Sequence, residues 1–224
     1  MRRPRRLFAF LLAAGVGLAS ASWAADRDPA AEAAELASLM RLRTGSRVAD
    51  VGAGKGEWAL RWAARVGETG KVWATEVTDE LVAGIHRAAE AAGVENLEAV
   101  HGDDRRSGLA AGCCDVVLLR MVYHHFTDPA AMRADLALAL APGGRLVIVD
   151  TVPQKHWRRL AGTPDRGGHG IAPDVAIAEW ESDGFELIER RDAWMGDPDR
   201  YALVLTLPEI QSKAINPTEP QESE

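Results

Sequence analysis

The chain reads as an α/β protein built on a largely parallel sheet, and three features point there. Short apolar runs alternate with helix-patterned segments from Arg47 to Asp150. One of those runs, "DVVLLRMVY" (115–123), is apolar almost throughout, as a strand covered on both faces must be. A glycine-rich turn, "GAGKG" (52–56), leads from the first run straight into an amphipathic segment.

The elements follow in order. Residues 29–42, "PAAEAAELASLMRL", are alanine-rich with helical spacing and stop before Thr44-Gly45. Residues 47–51 make a short apolar strand and 57–66 a helix. Residues 71–76 are again a strand, and 79–92 a helix that ends at Gly93. "LEAV" (97–100) is the third strand and 115–123 the fourth. A helix over 129–140 carries Pro129 in its first turn. Pro142-Gly143-Gly144 then turns the chain into a fifth strand, "RLVIVD" (145–150). After an irregular stretch to Gly170 come a helix over 174–182 and two strands, "GFELIERR" and "RYALVLTL". The connection between those two is short, which predicts an antiparallel pair.

The ends belong to other regimes. "MRRPRRLFAFLLAAGVGLASASWAAD" has four arginines, an apolar run and small residues around Ala21–Ala25, the three regions of a secretory signal. The apolar run is short for a membrane span. Arg5-Arg6-Leu7-Phe8 also matches the R-R-x-F core of a twin-arginine signal. Residues 1–25 are therefore expected to direct export to the periplasm or medium, an uncleaved membrane anchor being the alternative. No integral span is expected in the mature chain. Residues 208–224 are polar and proline-containing, the composition of a disordered tail. A formal net charge of −7 argues against a sequence-independent nucleic-acid binder. The two cysteines, Cys113 and Cys114, are adjacent and cannot staple distant segments. No metal-ligand pattern stands out in the sequence.

The glycines decide which ligand the first turn could take. A helix N-terminus offers unpaired amides, and glycine lets a ligand lie against the backbone. A dinucleotide fingerprint needs a third glycine at position 57, which is Glu57. A phosphate-binding Walker loop needs Ser or Thr after a Gly-Lys pair, and Gly56 follows Lys55. Both phosphate readings fail on spacing.

What fits is D-x-G-x-G-x-G. The stretch Asp50-Val51-Gly52-Ala53-Gly54-Lys55-Gly56 resembles the first motif of class I S-adenosylmethionine-dependent methyltransferases. Later features recur in the family's order: Glu76 ends the second strand, "HGDD" follows the third, "LRMVYHHFTDP" follows the fourth, and "PGGRLVIVD" enters the fifth. That run resembles the ubiquinone/menaquinone-type branch. The resemblance implies a Rossmann-like, doubly wound, seven-stranded and mostly parallel sheet with an antiparallel last pair, spanning a methyltransferase domain over 26–207. It also implies S-adenosylmethionine as cofactor. Gly52, Gly54 and Gly56 would lie along it, and Asp50 would anchor its ammonium side. Glu76 would hold the ribose hydroxyls, and Asp103, with Asp104 as the neighbouring alternative, would meet the adenine. Arg120, within the post-strand run, is a further cofactor-binding candidate.

A histidine suits an acceptor that must lose a proton. His125 ranks first, His124 second and His169, in "DRGGHGIAP", third. On an extended segment His124 and His125 would point opposite ways. The predicted activity is methyl transfer to a small-molecule or lipid-like acceptor. An exported S-adenosylmethionine-binding protein without turnover is an alternative. An NAD-dependent oxidoreductase is a more distant one, and it lacks a Tyr-x-x-x-Lys pair.

Overall fold

The computed structural model describes residues 28–208; the expected signal segment and nearly all of the expected tail lie outside them. The chain order is α1 (Pro29–Leu39), β1 (Arg47–Val51), α2 (Glu57–Val66), β2 (Lys71–Glu76), α3 (Asp79–Ala91), β3 (Leu97–His101), β4 (Cys114–Arg120), α4 (Pro129–Ala139), β5 (Leu140–Thr151), α5 (Pro173–Glu181), β6 (Glu186–Asp192) and β7 (Arg200–Thr206). Three helix starts are written in the sequence. Asp28 Oδ1 accepts from Ala30 N, Thr78 Oγ1 from Leu81 N and Asp128 Oδ1 from Ala131 N, each satisfying an amide that the first turn leaves unpaired.

The seven strands form one sheet in the order β3-β2-β1-β4-β5-β7-β6. The first five are parallel, and β7 runs antiparallel to both β5 and β6. The chain winds outward from β1 in one direction and from β4 in the other. The strand order therefore reverses between β1 and β4, the place where such sheets bind ligands beyond their carboxyl ends.

Two apolar layers sandwich this sheet, and β4 shows how. Val117 and Leu119 pack on one face with Leu136 of α4 and Trp180 of α5. Val116 and Leu118 pack on the other with Leu36 of α1, Trp62 of α2 and Ile85 of α3. The period of two sends alternate side chains to opposite layers. Each fully buried Val or Leu contributes roughly 1.5–3 kcal/mol relative to exposure. The outer strand β6 is instead largely exposed and carries Glu189, Arg190 and Arg191, charges that discourage pairing with another edge.

Two elements depart from expectation. The fourth strand ends at Arg120, not Tyr123. Its β1 neighbour has already turned into the glycine loop after Val51, so Met121 adopts a left-handed φ of 57°. The chain then coils through a 3-10 turn, Tyr123–His125. The fifth strand begins earlier, at Leu140, because an irregularity between Cys114 and Val116 lets the Pro-Gly-Gly segment continue the ladder.

Candidate functional site

A cavity of about 390 Å³ opens at the carboxyl ends of β1–β4. Its lining includes Gly52, Glu76, Asp103, Asp104, Val122 and His125, so five sequence-expected residues meet in one place.

The glycine loop frames it. Gly52 and Ala53 donate their amides to the carbonyl of Thr75 at 3.0 and 3.1 Å, tying the loop to β2. The glycines serve different ends. A Cβ on Gly52 would sit 2.4 Å from Val122 Cγ2, so this residue is small to admit Val122. Gly54, at φ 59°, has nothing within 4 Å of its Cβ position, so its open side belongs to whatever enters. Gly56 caps α2 in a left-handed conformation, with Ile85 at 3.2 Å from the Cβ position.

The acids at the strand ends are set differently. Glu76 Oε1 accepts from Gly54 N at 2.7 Å and Oε2 from Val77 N at 3.1 Å. Each oxygen keeps a second lone pair for a hydroxyl donor. Asp103 accepts from the amides of Arg105 and Arg106, which, with the Arg106 guanidinium, hold its carboxyl below the usual range. Asp104 lies on the exposed rim.

Asp50 is buried, and its Oδ2 has no hydrogen-bond partner among the described residues. Desolvation pushes its carboxyl up to about 7, against the pull of Arg120 and with a small push from Glu76. A buried acid left without a partner costs stability, and it suits a cationic visitor.

Arg120 is placed elsewhere. Its guanidinium grips Glu32 of α1 at 3.1 and 2.8 Å and stacks 4.4 Å over Trp58. It does not line the cavity but a second, polar one with Glu57, Arg61 and Arg200.

The histidines converge instead of diverging. The 3-10 turn replaces the extended segment that would have sent His124 and His125 apart. His124 Nε2 lies 3.0 Å and His125 Nε2 3.5 Å from His169 Nε2. Burial, reinforced by the neighbouring His124 and His169 imidazoles, pushes His125 down to about 4. His125 is thus neutral at pH 7, with a lone pair to offer.

His169 reaches the cluster because its loop lies flat on the extension of β5. Its backbone pairs with Gln154 in both directions, at 2.8 and 3.2 Å. A Cβ on Gly170 would meet the carbonyls of Thr151 and Val152 at 2.6 Å, and one on Gly168 the Gln154 backbone at 3.0 Å. The flanking glycines permit that close approach.

Asp150 is the residue of this histidine cluster that sequence reasoning passed over. It is fully buried at the end of β5, and its Oδ1 lies 2.5 Å from His124 Nδ1. Thr151 N and His124 N also donate to its carboxylate. Its signal was an acid closing the apolar run "RLVIVD", the same pattern that singled out Glu76.

Residues 48–144 match the family model described as "Methyltransferase domain". The nocamycin O-methyltransferase of Saccharothrix syringae is 32% identical over 65% of this chain and 53% of its own length. A demethylmenaquinone methyltransferase of Bacillus mycoides is 24% identical over 52% of this chain and 49% of its own. The chain thus spans about half the length of the curated relatives it matches. A solved S-adenosylmethionine-dependent methyltransferase from Aquifex aeolicus superposes with a TM-score of 0.66 at 18% identity, covering 78% of this chain and 89% of that one. The [4+2]-cyclase SpnF superposes as well, at 0.65 and 17%, covering 79% and 80%, so the fold alone does not set the reaction. Residues 48–144 thus match a methyltransferase-domain model, and the described chain has the fold of a solved S-adenosylmethionine-dependent methyltransferase.

Proposed function

We propose that this chain transfers a methyl group from S-adenosylmethionine to a small-molecule or lipid-like acceptor. The observation that carries the reading is one continuous cavity with Glu76 and Asp103 at one part of its wall and His125 at another. Its volume lies within the range of small-molecule sites.

The residues present fit the cofactor. Asp50 supplies a buried carboxylate with an unpartnered oxygen for an ammonium group. Glu76 can accept from two ribose hydroxyls while keeping its amide bonds, and Gly54 leaves the approach open. Asp103, with Asp104 beside it, would recognise an adenine amino group. When bound, S-adenosylmethionine supplies an electrophilic methyl on a sulfonium. The protein's own part is chiefly orientation: the glycine loop and acids hold one partner, and Val122, Phe126, Met132 and Leu160 give the other an apolar wall. At the histidine end, His125 offers a lone pair to a proton or to a cation.

The relatives' names point to oxygen-bearing or quinone-like acceptors, and the apolar wall suits that class. Incubating the full chain with methyl-labelled S-adenosylmethionine and a panel of phenols, enols and quinols tests this. Label transfer with matching release of S-adenosylhomocysteine is expected for at least one. A protein that binds the cofactor tightly and transfers to none is the non-catalytic binding protein instead. We further propose that residues 1–25 export this domain; N-terminal sequencing of the protein from its host tests it, with a start near Ala25 expected and an intact Met1 contradicting it.

A further inference from the structure

We propose that His124, His125 and His169 form a binding site for one divalent transition-metal ion of the zinc class. The site rests on its own nitrogen geometry and not on the methyl-transfer reading.

The argument begins with the far side of each ring. His169 Nδ1 lies 3.1 Å from the carbonyl oxygen of Arg158. A carbonyl only accepts, so His169 carries its proton on Nδ1. His124 Nδ1 lies 2.5 Å from the Asp150 carboxylate, which also takes the amides of Thr151 and His124. With that oxygen already accepting, the proton of His124 sits on Nδ1 too. Both Nε2 atoms are then bare, and they face each other at 3.0 Å. Two lone pairs do not hold one another there; a positive charge between them does.

The third nitrogen decides which kind of charge. A proton satisfies two acceptors, and His125 Nε2 brings a third, 3.5 Å from His169 Nε2, with all three ligand atoms within 4.8 Å of one another. In a tetrahedral zinc centre with Zn–N of about 2.0–2.1 Å, ligand nitrogens stand about 3.3 Å apart. The two printed separations, 3.0 and 3.5 Å, bracket that value.

Two of the ligands have the outer partners that metal-bound imidazoles usually have, a carboxylate on His124 and a carbonyl on His169. Three neutral imidazoles suit zinc, copper, iron or nickel and are poor company for magnesium or calcium. Three protein ligands leave the fourth tetrahedral position for a small donor molecule, and His125 sets that position beside the cavity. The ligand class there is an oxygen or nitrogen donor, which joins this site to any acceptor the cavity holds.

The test uses the full chain without an affinity tag, stripped with chelator and desalted. Calorimetry with zinc chloride should give one equivalent bound more tightly than about 1 µM. Cobalt chloride should give the intense visible absorption of four-coordinate Co²⁺. His125→Gln and His169→Gln should each weaken zinc binding at least tenfold, and Asp150→Asn about 10- to 100-fold through His124. His156→Gln, an exposed histidine outside the cluster, should change nothing. Uptake of less than a tenth of an equivalent, or unchanged affinity in both ligand variants, overturns the site. S-adenosylmethionine titrated into the same samples separates the two proposals. Cofactor binding without zinc uptake removes the metal site alone, and zinc uptake without cofactor binding removes the cofactor reading alone.

Discussion

The amide of Gly54 donates to Glu76 Oε1 at 2.7 Å, joining the middle of the glycine loop to the acid that ends β2. Two motifs 22 residues apart are thereby one structural unit, and the Cβ side of Gly54 is open while Glu76 lines the cavity. Glu76 thus also sets the loop's shape.

Glu76→Ala should therefore weaken S-adenosylmethionine by more than tenfold, since two charge-assisted hydrogen bonds are worth roughly 2–4 kcal/mol. Glu76→Gln keeps one acceptor and should cost less. Calorimetric Kd values check both. A change below tenfold for Glu76→Ala, equivalent to about 1.4 kcal/mol, would place the ribose elsewhere.

The glycines should separate by assay. Gly54→Val should abolish cofactor binding with the fold kept apart from local strain at φ 59°, because its side chain enters open space. Gly52→Ala should instead lower the melting temperature, since its methyl collides with Val122. Thermal melts paired with cofactor titration distinguish the two. Equal loss of stability in both would mean that the loop glycines serve packing alone.

Asp50 predicts a pH dependence. Its carboxyl is raised in the fold from 3.8 to about 7, so the folded state holds the proton more tightly than the unfolded chain. Its contribution to stability is best at low pH and is lost as pH rises from 3.8 towards 7. Asp50→Asn should therefore raise the melting temperature more at pH 8 than at pH 4.5. Cofactor affinity moves the other way. It should fall about tenfold per pH unit below 7, as the anchor becomes neutral, and that slope should vanish in Asp50→Asn, which binds weakly throughout. A flat wild-type profile between pH 5.5 and 7.5 would free Asp50 from the role.

Arg120 joins α1 to α2, pairing with Glu32 and stacking over Trp58. Glu32 is buried, and although burial raises its carboxyl, the Arg120 guanidinium and the Trp194 indole prevail and hold it low. Glu32→Ala leaves Arg120 without its ion-pair partner and should cost about 3–5 kcal/mol of unfolding free energy. Urea melts check it; a loss under about 1 kcal/mol would mean that the Glu32–Arg120 pair contributes little to stability.

What could be read in advance was local. Strand and helix periodicity, the glycine motif with Asp50 before it, and Glu76 at the end of β2 all express themselves within a few residues. The histidine cluster does not. His124 and His169 are 45 residues apart, and the segment bearing His169 has no periodicity. Only the tertiary course of 152–170 along β5 brings its ring to His124 and His125. The turn at Met121 was equally hidden: an apolar run continues past Arg120, while the neighbouring strand that would pair with it stops at Val51. Asp150 carried a readable signal, but its partner lay in another segment.

The central claim is the cofactor, and calorimetry tests it most directly. Titrating the full chain at pH 7.5 with S-adenosylmethionine and, separately, with NAD should show one equivalent of S-adenosylmethionine bound and NAD bound far more weakly. NAD as the only ligand, or no heat from S-adenosylmethionine, would contradict the account.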